Sequence, residues 1–186
     1  MFDDMLSAMY KGIAEASGTM PVVFKGMERH FEKGWSNIGT SRHQFHELIH
    51  LREGRVGLVI EGRTVRVDRG GTLIIRPGMA HHIQVESSQA DMLVLYFGFM
   101  SAEEALGALA GDDESSTVEP SSLERFLDFA SGQAAATDDR TVEPFISLRG
   151  RSRSDISGIV DRIVREDAAN EYAKDLMMQF MTMELL

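Results

Sequence analysis

The sequence predicts a mainly β domain, an antiparallel barrel or sandwich with flanking helices. Between residues 35 and 99, short apolar runs alternate with glycines, and no helical pattern intervenes. Many short strands joined by turns are typical of barrels and sandwiches. The chain has 186 residues, 43% of them hydrophobic, which suffices for one ordinary core and an appendage.

The barrel is predicted to span residues 21–100, after an N-terminal arm over residues 1–20. Apolar residues at helical spacing predict a short helix over residues 4–16, and residues 22–24 are expected to begin the first strand. Further strands are expected at residues 47–51, 55–60, 64–67, 72–75, 83–85 and 92–99. Glu61 and Gly62 separate two of these strands at the spacing of a hairpin turn.

Residues 101–153 are predicted to form a helical and linker segment that returns to the barrel. Ser101 is a suitable N-cap for a helix over residues 101–110, and a second helix is expected over residues 121–130. Residues 144–148 are expected to add a strand.

Residues 154–186 are predicted to form two helices, broken near residues 168–170. Each helix has an apolar stripe, and we expect the two stripes to form the interface of a homodimer. They comprise Ile156, Ile159, Val160, Ile163 and Val164 in the first helix, and Tyr172, Leu176, Phe180 and Met183 in the second. The pattern reaches Leu186 without a stop signal, so we expect the natural chain to continue.

Charge and composition narrow the class of protein. The net charge of -10 argues against a domain that binds nucleic acid by itself, because such domains usually present a basic surface. The sequence has no cysteine, which excludes disulfides and thiolate metal sites. It has neither a signal-peptide pattern nor an apolar run of the roughly 20 residues that span a bilayer. We therefore expect a cytoplasmic protein without a membrane partner.

All six histidines lie between residues 30 and 82, and strand alternation groups one of them with a carboxylate. In a strand, His43, Phe45 and Glu47 share the face of the aliphatic residues at positions 49 and 51. His46 and His50 lie on the opposite face. If the first face is the interior, the Glu47 carboxylate needs a partner, and imidazole is a suitable one.

A second histidine reaches the same place from another strand. The tight turn at Pro77 and Gly78 delivers His81 to the start of a strand. One carboxylate and two imidazoles, from His43, Glu47 and His81, form a candidate site for Zn, Fe, Mn, Ni or Cu.

Further lining residues follow from the same alternation. Trp35, Asn37 and Ser41 share the parity of His43 if the strand runs unbroken, whereas a bulge at Gly39 would reverse the phase. The predicted ligand-binding residues are therefore Trp35, Asn37, Ser41, His43, Phe45, Glu47 and His81.

These residues resemble the first motif of the cupin superfamily, which reads Gly, five residues, His-x-His, three or four residues, Glu, six residues, Gly. Glu47 and Gly54 fit this motif, and His43 fits its second histidine. Ser41 replaces the first histidine, and Trp35 replaces the leading glycine.

The second cupin motif reads Gly, five residues, Pro-x-Gly-x-x-His, three residues, Asn. Gly70, Gly78 and His81 fit it, whereas Arg76 replaces the proline and Val85 replaces the asparagine. With Ser41 in place of a ligand as well, the resemblance implies a fold with an incomplete version of the usual metal site.

A closer resemblance is to the effector-binding domains of AraC-type transcription regulators. Residues 43–54, HQFHELIHLREG, are similar to that family's strand, and residues 71–82, GTLIIRPGMAHH, to its Pro-Gly-x-x-His turn. The resemblance covers about residues 20–186. It implies a double-stranded β-helix (jelly-roll) barrel that binds a small-molecule effector, followed by dimerisation helices. DNA would be contacted only through a C-terminal domain that this chain lacks.

The leading hypothesis is therefore an effector-sensing and dimerising domain of a transcription regulator, with no catalytic residue and no required cofactor. Its polar cluster would bind a sugar or a carboxylate. The alternative is a metal-dependent cupin enzyme, an oxygenase or isomerase, with His43, Glu47 and His81 as metal ligands. A stand-alone sugar-binding cupin and a purely structural hydrogen-bond cluster are further interpretations.

Overall fold

The structure is a computed structural model that describes residues 19–37, 39–101, 143–148, 153–169 and 174–185. The predicted N-terminal helix at residues 4–16 and the predicted helix at residues 121–130 lie outside the described residues.

Eight strands and two helices lie in the described part of the chain. They are β1 (Thr19–Glu32), β2 (His46–Glu53), β3 (Arg55–Ile60), β4 (Arg63–Asp68), β5 (Thr72–Ile75), β6 (His81–Val85), β7 (Gln89–Ser101), β8 (Phe145–Ser147), α1 (Arg153–Ala169) and α2 (Lys174–Leu185). The predicted strands at residues 55–60 and 72–75 are found with the same bounds, and those of the other four differ by one to three residues.

The strands form two antiparallel sheets. The larger sheet has the order β1-β7-β2-β5-β8, and the smaller one has the order β4-β3-β6. The return of β8 to pair with β5 agrees with the prediction that residues after 101 come back to the barrel. The mainly β, antiparallel fold with C-terminal helices is thus confirmed.

The larger sheet is buried on both faces. On its inner face, side chains such as Ile49 and Ile75 pack against the smaller sheet to form the barrel core. On its outer face, Leu48 and Leu95 pack with Ile163 of α1. Consecutive residues of β2 therefore face two different layers, as the period-2 geometry of a strand requires.

The apolar stripe of α1 lies against this outer face. Ile156, Ile159, Val160 and Ile163 are buried in one cluster with side chains of the sheet and of α2. The prediction that this stripe forms an interface with a second copy is therefore wrong, because its own sheet already covers it. In α2, Met183 packs on the same cluster, whereas the side chains of residues 172, 176 and 180 lie outside the described residues.

Two strand boundaries differ from the predicted ones. β7 ends at Ser101, which pairs with Thr19, and the rest of the helix predicted over residues 101–110 lies outside the described residues. The first strand begins at Thr19, before the start predicted at residues 22–24, and runs to Glu32. A register shift between Val23 and Lys25 breaks the alternation of β1, so the sequence pattern does not indicate the full length of the strand.

The chain has a left-handed backbone conformation at two tight turns. Glu61 and Gly62 have φ values of 46° and 76° and join β3 to β4, as predicted for a hairpin turn. Gly54, at φ 88°, lies where an added Cβ would be 2.2 Å from the carbonyl oxygen of Gln89. Neither described helix combines the length and the apolar content needed to cross a bilayer.

Candidate ligand pocket between the two sheets

A cavity of about 180 Å³ opens at one end of the barrel core. Its walls come from β1, β2, β6, β7 and the segment that precedes β2. They comprise Arg29, Phe31, Trp35, Asn37, Ser41, His43, Glu47, His81, Ile83, Met92, Val94 and Tyr96. The cavity thus combines an apolar body with a polar floor, the usual composition of a small-molecule site.

The floor is built around the buried carboxylate of Glu47. Its Oε2 lies 2.9 Å from Nε2 of His81 and 3.4 Å from Nε2 of His43. The Tyr96 hydroxyl donates to Oε1 over 3.4 Å. Burial alone would raise the pKa of Glu47, but the hydrogen bonds and charges of the two histidines outweigh it and hold the pKa below its usual value.

His81 is held in one orientation by a contact on its far side. Its Nδ1 lies 3.0 Å from the carbonyl oxygen of Met79, so this nitrogen carries a proton. Its Nε2 faces the Glu47 carboxylate, which favours a second proton there. Burial lowers the pKa of His81, but Glu47 and the Met79 carbonyl raise it further, and the net shift is upward.

Tyr96 remains a hydrogen-bond donor at any physiological pH. Burial and the neighbouring negative charge of Glu47 raise its pKa to about 12. Its ring also contacts the rings of His43 and Phe45, with centroids 5.3 and 5.0 Å away.

The segment before β2 carries four of the predicted site residues, but it is not the regular strand that was expected. The unbroken strand from Trp35 to His43 is wrong: the segment pairs with β6 only through isolated bridges at Ser36 and Ser41, and Gly39 has a φ of 72°. Trp35, Asn37, Ser41 and His43 nevertheless all line the cavity.

Side-chain contacts hold this irregular segment in place. The Asn37 side chain accepts from the backbone N–H of Ile83 over 2.6 Å and donates to the Ser41 hydroxyl over 3.1 Å. Trp35 stacks on Phe31 with ring centroids 3.6 Å apart.

Phe45 lies at the rim and not in the cavity wall. It is absent from the lining, and its ring stacks on the outer side of His43 at 5.1 Å and contacts Phe24, which is 42% exposed. Its predicted place among the ligand-binding residues is corrected accordingly, because regular strand alternation begins only at His46.

Sequence reasoning missed the cavity residues of β1 and β7. On β7, Met92, Val94 and Tyr96 face the cavity, but their neighbours Leu93 and Leu95 are equally apolar, so alternation carries no signal. On β1, only the start of the strand was predicted, at residues 22–24, and no face was assigned to Arg29 and Phe31. For Tyr96 the sequence did contain a signal, because a tyrosine hydroxyl needs a hydrogen-bond partner when it is buried.

The two histidines on the opposite face of β2 are buried beneath the helical layer. His50 pairs with the Thr72 hydroxyl through Nδ1 at 2.8 Å. His46 stacks on Phe97 and contacts Phe99 edge-on, with centroids 5.0 and 5.6 Å away. Both are therefore packing residues.

The sequence matches the family described as the AraC-like ligand binding domain over residues 25–149. The chain belongs to this family. The match covers all of the barrel except the start of β1, and it includes every residue that lines the cavity. No curated protein sequence matches the chain.

The chain is also similar to parts of solved structures. A predicted oxalate decarboxylase from Thermotoga maritima is 17% identical with a TM-score of 0.37, over 40% of this chain and 65% of that one. A cupin 2 conserved barrel domain protein from Salinispora arenicola CNS-205 is 24% identical with a TM-score of 0.36, over 38% and 60%. The aligned part thus spans less than two thirds of either relative.

Proposed function

We propose that this domain senses a small molecule for an AraC-type transcription regulator. The observation that carries the proposal is the cavity of about 180 Å³, whose polar floor lies inside an otherwise apolar barrel. Its size is below the roughly 300 to 1,000 Å³ of sites for drug-sized ligands, so the effector is a small metabolite.

The signal would leave the cavity through the strands that form its wall. β1, β2 and β7 carry cavity residues on one face and pack against the helices with the other. Direct contacts join them to α1: the backbone N–H of Gly26 donates to Asp167 over 3.0 Å, and Arg52 contacts Asp161 at 3.4 Å. A ligand that binds one arrangement of these strands more tightly would shift the population of helix positions.

The proposal includes a homodimer formed through the C-terminal helices. Because the apolar stripe of α1 is covered by its own sheet, the interface would use the exposed face, which includes Gly158 and Arg162. An added Cβ at Gly158 meets nothing within 4 Å, so Gly158→Arg should leave the protomer folded. Sedimentation velocity should then show a loss of dimer, and an unchanged dimer would exclude this face.

Native mass spectrometry of protein purified without chelators tests the sensing function. We expect a small molecule to be retained by the native protein and lost from Glu47→Ala, while the exposed control Arg66→Ala retains it. A panel of metabolites that produces no saturable binding by calorimetry would contradict the proposal.

A metal-dependent site is the second candidate, favoured by the geometry of His43, Glu47 and His81. Their ligand atoms lie within 4.8 Å of one another. Atoms that bind one ion at about 2.1 Å are themselves roughly 3.0 to 3.4 Å apart, close to the two Glu47–imidazole distances. The Met79 carbonyl orients Nε2 of His81 into the cluster, as an outer partner of a metal ligand does.

The donor set thus fits Zn, Fe, Mn, Ni or Cu, which would supply Lewis-acid or redox chemistry when bound. In that case His43, Glu47 and His81 would hold the ion, and Tyr96 would orient the carboxylate. Elemental analysis separates the candidates. A metal content near one equivalent that is lost in His81→Ala supports the metal site, and less than about a tenth of an equivalent removes it.

A further inference from the structure

Arg29 is the cationic side chain at the mouth of the cavity. It lies on β1 opposite Met92, and both side chains line the cavity. Its guanidinium contacts the sulfur of Met27 at 3.0 Å, and no carboxylate of the described residues forms an ion pair with it. It is also exposed, so a solute can reach it.

This lack of a carboxylate partner distinguishes Arg29 from four other arginines of the barrel. Arg52, Arg55, Arg63 and Arg66 each form an ion pair with an aspartate or glutamate. The chain contains 29 acidic against 19 basic residues, so partners are abundant. A cavity-lining guanidinium without one has its planar fork of donors available for a ligand.

The charge of the cavity wall favours an anion. Glu47 is the single carboxylate among the lining residues, and its oxygens are already engaged by His43, His81 and Tyr96. Arg29 balances that charge even if both imidazoles are neutral. The cavity wall is therefore not negative, although the chain as a whole carries a net charge of -10.

Apart from Asn37 and Ser41, the remaining wall is apolar. Phe31 and Trp35 form a stacked pair, and Ile83, Met92 and Val94 complete the body of the cavity. Such a surface accepts a small ring or a short aliphatic chain, since it offers these groups burial from water.

We propose that the effector is a small carboxylic acid with an apolar body. Its carboxylate pairs with Arg29 at the mouth, and its ring or chain lies against Phe31 and Trp35. This inference rests on the sensing function proposed above and narrows its ligand class to anions. A bidentate pair between guanidinium and carboxylate explains why an arginine without a carboxylate partner would occupy the cavity wall.

Trp35 gives a direct readout, because it is the single tryptophan of the chain and lies in the cavity. Benzoate, phenylacetate and hexanoate are titrated against the matched neutral amides while the fluorescence of Trp35 is followed. The acids should bind about tenfold or more tightly than the amides, the usual gain from a charge-assisted pair.

Variants test whether Arg29 is the source of the preference for acids over amides. Arg29→Ala should reduce the ratio of acid affinity to amide affinity to about one. Arg29→Lys should keep part of this preference, since lysine supplies the charge without the planar fork of donors. Arg66→Ala, which removes an exposed arginine outside the cavity, should leave it unchanged. A preference retained in Arg29→Ala would overturn the role of Arg29.

The outcomes also separate this inference from the sensing function. Amides or sugars that bind as tightly as the acids would overturn the anion class and leave the sensing pocket standing. No saturable change in Trp35 fluorescence from acids, amides or sugars at millimolar concentration would overturn both. If the acids bind only after a metal ion is added, the ligand carboxylate pairs with an ion held by His43, Glu47 and His81, and not with Arg29.

Discussion

Acidification should destabilise this domain through His46, because its imidazole is buried in a place where it cannot hold a proton. The side chain is 0% exposed and lies between the rings of Phe97 and Phe99. Neither ring nitrogen has a hydrogen-bond partner of good geometry among the described residues. Burial, with a smaller effect from the positive charge of Arg76, lowers the pKa of His46 to about 3, although the Phe97 backbone opposes the shift.

The sign and size of the effect follow from proton linkage. In the unfolded chain His46 takes up a proton below about pH 6.5, whereas the folded protein resists it until about pH 3. Stability from this residue is therefore complete above the unfolded pKa and is lost as the pH falls. The loss reaches about 2 kcal/mol near pH 5, and about 5 kcal/mol below the folded pKa.

Urea denaturation at several pH values measures this loss. His46→Leu, which has a similar volume and no titratable group, should show a smaller slope of unfolding free energy between about pH 6.5 and 5. His50, whose pKa is also lowered by burial, leaves a residual slope in both proteins, so the difference between them is the quantity of interest.

Leu48, a buried neighbour on the same face of β2 with no titratable group, provides the control, since Leu48→Met should leave the slope of the native protein unchanged. Equal slopes for the native protein and His46→Leu would refute the reasoning. That result would mean that the imidazole is hydrated or protonated in the folded state.

Three further perturbations test the fold and the polar floor. Gly54→Ala should cost about 3 kcal/mol or more in urea denaturation, because its Cβ would lie 2.2 Å from a backbone oxygen. Gly62→Ala, with a similar φ but nothing within 4 Å, should cost only about 1 kcal/mol, and equal costs would contradict the contact. Ile159→Asp should lower the free energy of unfolding by about 4 kcal/mol, and a soluble variant of unchanged stability would contradict its burial. Glu47→Gln should lower the pKa of His81, so NMR of the imidazole ring should show titration at lower pH than in the native protein. Since that pKa is raised, His81 stabilises the native fold fully below about pH 6.5 and loses this contribution as the pH rises through the folded value; an unmoved titration would show that Glu47 is not its partner.

Local patterns predicted the central strands well. The strands β2 to β6 lie between glycines and tight turns, and each is short enough for its alternation or apolar run to be read directly. β1 was predicted only in part because its register shift after Val23 breaks the alternation. β7 extends to Ser101, two residues beyond the predicted end, because Ser101 still pairs with Thr19 across the sheet.

The polar floor could be predicted because its residues are chemically unusual in a barrel. His43, Glu47 and His81 stand out among apolar neighbours, and the structure brings all three together. Arg29 could not be assigned, since that step requires knowing which face of β1 turns inward. The stripe of α1 was read correctly as apolar, but a sequence does not tell whether its own sheet or a second copy will cover it.

The doubly covered sheet has a consequence for how this domain tolerates change. Along β3, buried positions alternate with more exposed ones, so roughly every second residue can be substituted without loss of a buried contact. Along β2, six consecutive residues from His46 to Leu51 are buried, three toward the barrel core and three toward the helices. Every position of this run therefore packs on one layer or the other, and a substitution anywhere in it disturbs either the barrel core beside the pocket or the packing of the helices.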